Sequence, residues 1–320
     1  MGIKKIFCVG GANIDHKFRA LEAIESGTSN PVSEIRSFGG VARNVAENLA
    51  AWTSGVYLRS VVGDDSDGRH LLSHLEQSGV NIDGCLKLKN HSTSHYYAVL
   101  DSDGELHTAY AAMEIYNHVP VNLFVDQYCD WPQESIVFID TNLPEEIIEF
   151  IIKQIPAKKI QVCIDPVSVA KAKRIPAVLK DVFLIKPNQS EAGALTGLKI
   201  ETVSDCIQAG RVLLDRGAIN VVISMGSQGY VIVNQDQETH FPAYSADRIV
   251  DVNGSGDAFL AGILFGLQQK YTIIHACEIG TAAAVLTLQS DKTVASDIGI
   301  SRLHAYMRTC KRPNMSEIQL

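Results

Sequence analysis

The stretch Asp251-Val-Asn-Gly-Ser-Gly-Asp257 decides how the rest of the chain is read. It follows the apolar step Ile249-Val250, which reads as the end of a strand. It precedes Ala258-Phe-Leu-Ala-Gly-Ile-Leu-Phe-Gly-Leu267, an apolar run of helical length. Gly254 and Gly256 let the backbone come close to a ligand and adopt conformations that a Cβ forbids. With Ser255 they precede a helix whose first N–H groups and partial positive charge suit a phosphate. Asp257 is the odd member. Its carboxylate repels an anion, yet it can take a proton from a hydroxyl. A helix N-terminus also favours Asp for purely structural reasons, and this stretch alone leaves both readings open.

Other polar groups stand where an α/β sheet gathers ligands, just past strand ends. Asn13 and Asp15 follow the strand Lys5–Val9 and the pair Gly10-Gly11. Turn chemistry explains them equally well. Gly39-Gly40 opens onto a helix with the stripe Val41, Val45, Leu49, Trp52, and Asn44 lies in its first turns. Such an entry admits a polyol or phosphate, or is simply flexible. Thr141-Asn142 and Asp165-Pro166 stand after two further strands. Asn188 and Glu191, three apart at a helix start, either organise a hydrated Mg²⁺ or cap the helix reciprocally. Ser224, Gly226 and Gly229 form a tight turn between two strands, with room for a nucleotide.

The element pattern predicts one α/β domain over 1–320 with a small antiparallel sheet inserted as a lid, formed by about 13–38 and 90–112. The hairpin signal Asp101-Ser-Asp-Gly104 between Tyr96–Leu100 and Leu106–Ala111 marks one part of it. Residues 25 to 38 read as a polar loop that could also supply lid strands. Val56–Val62 reads as one strand, and helices are expected over 256–269, 272–289 and 299–308.

Of 320 residues, 46% are hydrophobic and 20% charged, which fits a globular chain. The formal net charge of −8 disfavours nucleic-acid backbones as partners. Seven scattered cysteines, never spaced as C-x-x-C, suggest free thiols in a reducing compartment. No signal-peptide pattern or membrane-length apolar run is seen, so the expectation is a cytoplasmic protein without membrane contact. The G-x-x-x-x-G-K-[ST] loop and the protein-kinase signatures are absent.

Three segments then fall into a known order: Gly39-Gly-Val-Ala-Arg-Asn-Val-Ala46, Lys186-Pro-Asn-Gln-Ser-Glu191 and Asp251-Val-Asn-Gly-Ser-Gly-Asp-Ala-Phe259. From about residue 4 to about 309 the chain resembles the ribokinase-like, or phosphofructokinase-B-type, carbohydrate kinases. The resemblance implies a Rossmann-like ribokinase fold: a central, mostly parallel sheet flanked by helices, with a small β-sheet lid. It implies transfer of the ATP γ-phosphate to a hydroxymethyl group with Mg²⁺ as cofactor. Asp257 then corresponds to the base, and Gly254, Ser255 and Gly256 to the anion hole. Asn188 and Glu191 correspond to the element organising Mg²⁺, through water, and the phosphates. Ser224, Gly226 and Gly229 correspond to the nucleotide turn, and Asn13, Asp15, Gly40 and Asn44 to the sugar clamp. Asp251 corresponds to a monovalent-cation (K⁺) site, and lids in the family often pair two subunits into a homodimer.

Two departures stand out. Thr281 occupies a place where some members carry Asn near the adenine, and Val252-Asn253 replaces a commoner Thr-Thr, which leaves nucleotide choice and K⁺ dependence open. A narrower likeness, in Gly11-Ala-Asn-Ile-Asp15, Thr28-Ser-Asn-Pro31, Asp165-Pro-Val-Ser168 and Ser224-Met-Gly226, is to the members that phosphorylate the 5′-hydroxyl of pseudouridine. Ser29, Asn30, Thr93, Ser94 and Asn142 are then candidates to hold the uracil ring. The alternatives are a kinase of the ribokinase or adenosine kinase type, or a non-catalytic sugar- or nucleotide-binding protein of this fold.

Overall fold

The computed structural model describes residues 3–119, 131–246, 248–295 and 297–309. Cys129 and Cys310 lie outside them. The chain runs β1 (Ile6–Val9), β2 (Asn13–Ala20), β3 (Val32–Gly39), α1 (Val41–Ala50), β4 (Val56–Arg59), β5 (Val61–Gly63), α2 (Ser66–Gln77), β6 (Leu86–Leu88), β7 (Ser94–Leu100) and β8 (Leu106–Ala112). Then come β9 (Ile136–Asp140), α3 (Glu145–Lys158), β10 (Gln161–Asp165), α4 (Val169–Ala172), β11 (Leu184–Ile185), α5 (Gln189–Thr196) and α6 (Val203–Asp215). The chain closes with β12 (Asn220–Ser224), β13 (Tyr230–Asn234), β14 (Glu238–Phe241), α7 (Ser255–Gln268), α8 (Ile273–Leu288) and α9 (Ile300–Thr309).

Eight strands form the central sheet in the order β14-β13-β12-β11-β10-β9-β1-β4. From β4 to β12 the neighbours are parallel, and β13 and β14 turn back antiparallel at one edge. The parallel strands are apolar on both faces because helices cover both. Alternation within β1 divides the core. Ile6 and Cys8 join one cluster with Val45, Leu49, Leu260 and Ile279 from the helices, while Phe7 and Val9 join another with Ile148 and Leu213. Burial of each such side chain contributes about 1.5–3 kcal/mol, so this sheet is a rigid platform for whatever stands at its strand ends.

The second sheet has the order β3-β2-β7-β8 and corresponds to the expected lid segments. It is not wholly antiparallel, because β2 and β7 run parallel in register from Asn13↔Ser94 to Arg19↔Leu100. The hairpin signal is borne out: Gly104 N–H closes on the Asp101 carbonyl and β7 and β8 pair antiparallel. Residues 32–39 form β3 rather than loop, because β2 gives them a partner along their whole length. Val56–Val62 is broken at Ser60. Its hydroxyl donates to the Gly10 carbonyl, and β5 leaves the central sheet to pair with β6. Ile249-Val250 is not a strand. The pair is exposed, and beyond the β14 edge two apolar residues find no ladder, only a single bond from Val250 N–H to the Leu288 carbonyl.

Candidate active site

The site is assembled at the C-terminal ends of β1, β9 and β10. Its hidden centre is Asp140, fully buried at the end of β9. One carboxylate oxygen accepts Gly11 N–H (2.8 Å) and Ala42 N–H (2.9 Å), and the other accepts Asn142 N–H (2.8 Å). Burial raises its pKa while these donors oppose the rise. Asp140 therefore ties the turn after β1, the start of α1 and the end of β9 into one floor. Gly40 completes it. Its φ is +98°, and a Cβ there would stand 2.4 Å from the Gly11 carbonyl oxygen. Only glycine allows this approach.

On that floor stand the expected acceptor groups. Asn13 Nδ2 donates to Asp15 Oδ1 (2.5 Å), and both side chains rise where β2 leaves the body for the second sheet. Desolvation pushes the Asp15 pKa up to about 6, against the opposing charge of Arg43 and the Asn13 bond. Asn44, one turn into α1, donates through Nδ2 to Asp257 Oδ2 at 2.6 Å. These two residues are 213 positions apart in sequence, and this contact joins the acceptor clamp to the candidate base.

Arg43 sets that contact. It is buried, and its guanidinium donates to Asn44 Oδ1, to the Phe38 carbonyl (2.8 Å) and to Glu47. With its oxygen engaged, the Asn44 amide has only its NH₂ to turn towards Asp257. Glu47 in turn lies 2.8 Å from His74 Nε2 on α2. The sequence reading did not single out Arg43 or Glu47. The available signal was an opposite-charge pair at i, i+4 on a helix that also carries Asn44.

Asp257 sits in the first turn of α7, partly accessible. Desolvation raises its pKa to about 7. The Asn44 bond opposes the rise, Asp165 adds to it, and Lys186 and Arg43 oppose it. Lys186 Nζ lies 3.0 Å from Asp165 Oδ2, both buried, and also feels Glu191 and Asp257. Asn188 and Glu191 adopt the reciprocal capping arrangement: Asn188 Oδ1 accepts Glu191 N–H (2.9 Å) and Glu191 Oε2 accepts Asn188 N–H (2.8 Å). The structural reading of that pair thus holds, while Glu191 remains buried beside Asp165 and Lys186, its pKa raised first by desolvation and then by Asp165. Asn188 also bridges to Ser224, which brings the Ser224–Gly229 turn alongside.

Gly254 is the N-cap of α7, in the left-handed region at φ +77°, and a Cβ there would meet the Thr293 carbonyl at 1.9 Å. A Cβ at Gly256 would meet open space. Asp251 does not stand free at this loop. Lys17 of β2 reaches across to it, Nζ to Oδ2 at 3.1 Å. Burial acts to raise its pKa, yet the Asn253 N–H bond and Lys17 outweigh that and leave it lowered. Thr281 lies in α8, its hydroxyl donating to the Cys277 carbonyl.

Three expected acceptor residues are not brought to this cluster as free ligands. Ser29 and Asn30 lie in the loop beyond Ala20, and the length of β2 carries that loop about 23 Å from Asn13. There Asn30 closes its own loop with bonds to Glu25 and Thr28. Thr93 is buried. Its hydroxyl donates to Asp65 Oδ1 (2.7 Å) and accepts Gly63 N–H (3.1 Å), so it fixes the base of β7 to the start of α2. Asn142 does lie at the site, beside Gly11, with its Oδ1 accepting from Lys171. Among the described residues no three His, Cys, Asp or Glu side chains form a metal cage, and no helix is long and apolar enough to cross a membrane.

Comparison with known proteins identifies the family and the fold. The family model described as pfkB family carbohydrate kinase matches residues 3–298. The pseudouridine kinase of Escherichia coli (strain K12) is 29% identical over 299 residues, covering 93% of this chain and 95% of that protein. A carbohydrate kinase from Agrobacterium tumefaciens superposes with a TM-score of 0.81 at 26% identity, over 97% of this chain and 98% of that one. The Arabidopsis thaliana ribokinase complexed with ribose and ATP shares the fold, with a TM-score of 0.82 at 20% identity over 96% and 99% of the two chains. The chain belongs to the pfkB family of carbohydrate kinases.

Proposed function

We propose that this pfkB-family sugar or nucleoside kinase transfers the γ-phosphate of ATP to the 5′-hydroxyl of pseudouridine, giving pseudouridine 5′-phosphate. The observation that carries the phosphoryl-transfer step is the Asn44–Asp257 contact, which sets a carboxylate with a pKa near 7 between the acceptor clamp and the glycine loop. The pseudouridine assignment is supported by the likeness to the Escherichia coli enzyme over nearly both chains.

In this reading Asn13 and Asp15 bind the ribose hydroxyls and the second sheet covers them. Positioning of this kind supplies much of the catalysis, because phosphoryl transfer asks for little covalent chemistry from the protein. Asp257 accepts the 5′-hydroxyl proton. A base with a pKa near 7 is ionised in a useful fraction and still takes a proton readily. The backbone N–H groups at Gly254, Ser255 and Gly256 receive phosphate oxygens, and Lys186 offsets charge on their far side. The Ser224–Gly229 turn lies beside the adenosine.

Glu191 and Asp165 are hard oxygen donors beside Lys186, and with no three-ligand cage among the described residues they fit a cation that keeps most of its own waters. Mg²⁺ held there through water by Asn188 and Glu191 would neutralise charge on the triphosphate. Activation by K⁺ at Asp251 requires that Lys17 release the carboxylate. Pairing of two chains through the second sheet is a further part of this reading, supported by the exposed Ile35, Leu106 and Tyr110 on its strands.

The test is product analysis. The protein is incubated with pseudouridine, ATP and Mg²⁺, and phosphorus–proton coupling locates the new ester. Coupling to the 5′-methylene protons is expected. ADP formation without a nucleoside phosphate, or a phosphate on another hydroxyl, overturns the assignment.

A further inference from the structure

Lys171 is a largely buried cation that the mechanism above leaves unused. It projects from α4, and its Nζ donates to Asn142 Oδ1 (2.5 Å) and approaches Met113 Sδ at 3.5 Å. Neither partner carries negative charge. Asp140 attracts Lys171 from a distance, but that carboxylate already accepts three backbone N–H groups.

The surroundings hold this group in place. Arg174 Nη1 donates to the carbonyls of Thr141 (3.1 Å) and Asn142 (2.8 Å), clamping the segment that follows β9. Ser168 caps α4 by accepting Lys171 N–H. Val167 has φ +62°, a conformation that a β-branched residue rarely takes and that clusters at functional sites. Asn142 lies against Gly11, where a Cβ would stand 2.5 Å from Asn142 Nδ2. Gly11 in turn leads into Asn13 and Asp15. The Lys171–Asn142 pair therefore stands next to the ribose clamp, on the side where Met113 follows the last strand of the second sheet.

The pair is made of donors. Lys171 has three N–H groups and no acceptor, and Asn142, with its oxygen engaged by Lys171 and its side-chain amide also bonded to Asp140, has one N–H left to offer. We propose that Lys171, together with Asn142, reads a carbonyl oxygen of the group attached to the acceptor's sugar ring, and so selects a carbonyl-bearing base such as uracil over a bare sugar or an adenine. This rests on the nucleoside kinase reading. A site built to hydrogen-bond a substrate group discriminates strongly against acceptors that lack it, because its buried donors are then left unpaired.

The experiment is steady-state kinetics of Lys171→Met, which keeps length and removes the charge, on pseudouridine and on ribose. The KM for pseudouridine is expected to rise about tenfold to a hundredfold, with kcat within a few-fold and ribose kinetics unchanged. Lys171→Arg, which restores a donor, should recover part of the pseudouridine KM. Equal losses on both acceptors, or an unchanged pseudouridine KM in a folded variant, overturn the assignment. Wild-type activity is read first. If pseudouridine is not phosphorylated, the nucleoside reading fails, and Lys171→Met is judged on the best acceptor found against ribose. If that best acceptor is ribose itself, the Lys171 assignment falls too.

Discussion

Replacing Asp257 by Asn separates its two possible roles, because they predict opposite effects on stability. If Asp257 is held as a base in a desolvated niche, its pKa near 7 in the fold stands about three units above the ordinary 3.8. Each unit corresponds to about 1.36 kcal/mol, so ionising this side chain at alkaline pH lowers stability by at most about 4 kcal/mol. The sign is clear. A carboxylate whose folded pKa is raised makes the folded state bind more protons than the unfolded state. Its contribution is fully present below pH 3.8 and is lost as the pH rises through about 7. The substituted asparagine cannot ionise and keeps an acceptor for Asn44 Nδ2.

The Asp257→Asn protein should therefore melt several degrees higher than wild type at pH 8 without ligands, taking roughly 1–3 °C per kcal/mol for a chain of this size. The gap should narrow towards pH 5. At the same time kcat should fall by about 10²–10⁴. An Asp that only complements the helix N-terminus gives the reverse: turnover kept, and a loss of about 0.3–1 kcal/mol once its charge is removed. Melting by differential scanning calorimetry at pH 8 and pH 5, with kcat on the same samples, decides the matter. A lower melting temperature at pH 8 together with near-normal turnover would refute the reasoning.

Four further outcomes follow from the same geometry. The kcat/KM of the wild type should fall tenfold per pH unit below about 7, as Asp257 takes up its proton. Asn44→Ala removes the bond that favours its ionised form and should move that limb to higher pH, in a pH–rate profile from 5 to 9. Arg43→Met should destabilise the fold by about 3–5 kcal/mol, since Glu47 is left buried without its main partner, and the Arg43→Met/Glu47→Met double variant should recover part of this in urea unfolding. Lys17→Met breaks the one ion pair seen between β2 and Asp251, so it should change the melting temperature little while altering the response of kcat to added K⁺.

The parts legible in the sequence were those written in local chemistry. Gly254 adopts the positive φ and close backbone approach read from the sequence, but Gly256, read the same way, is an ordinary helical residue where a Cβ would meet open space. Asp101–Gly104 announced its hairpin because a turn needs only four neighbouring residues. Asn13, Asp15, Asn44 and Asp257 were identified one by one, and the fold places Asn44 against Asp257. What could not be read depends on distance. The bonds from Gly11 and Ala42 to Asp140 span 129 and 98 residues, and nothing near Asp140 announces them. Lys171 matters only because α4 packs behind Asn142, 29 positions earlier. Ser29 and Asn30 were misplaced for the converse reason: polarity suggested ligands, but strand length decides where a loop ends up. The Asn188–Glu191 pair shows a real ambiguity, since one spacing serves both a helix cap and a cation, and the cap is the form seen.

The proposed action on pseudouridine is tested most directly by coupled ADP release with ATP and Mg²⁺, comparing kcat/KM for pseudouridine, uridine, ribose and adenosine. A clear preference for pseudouridine over the other three is expected. A preference for ribose or adenosine, or nucleoside binding with no ADP formed, would contradict it.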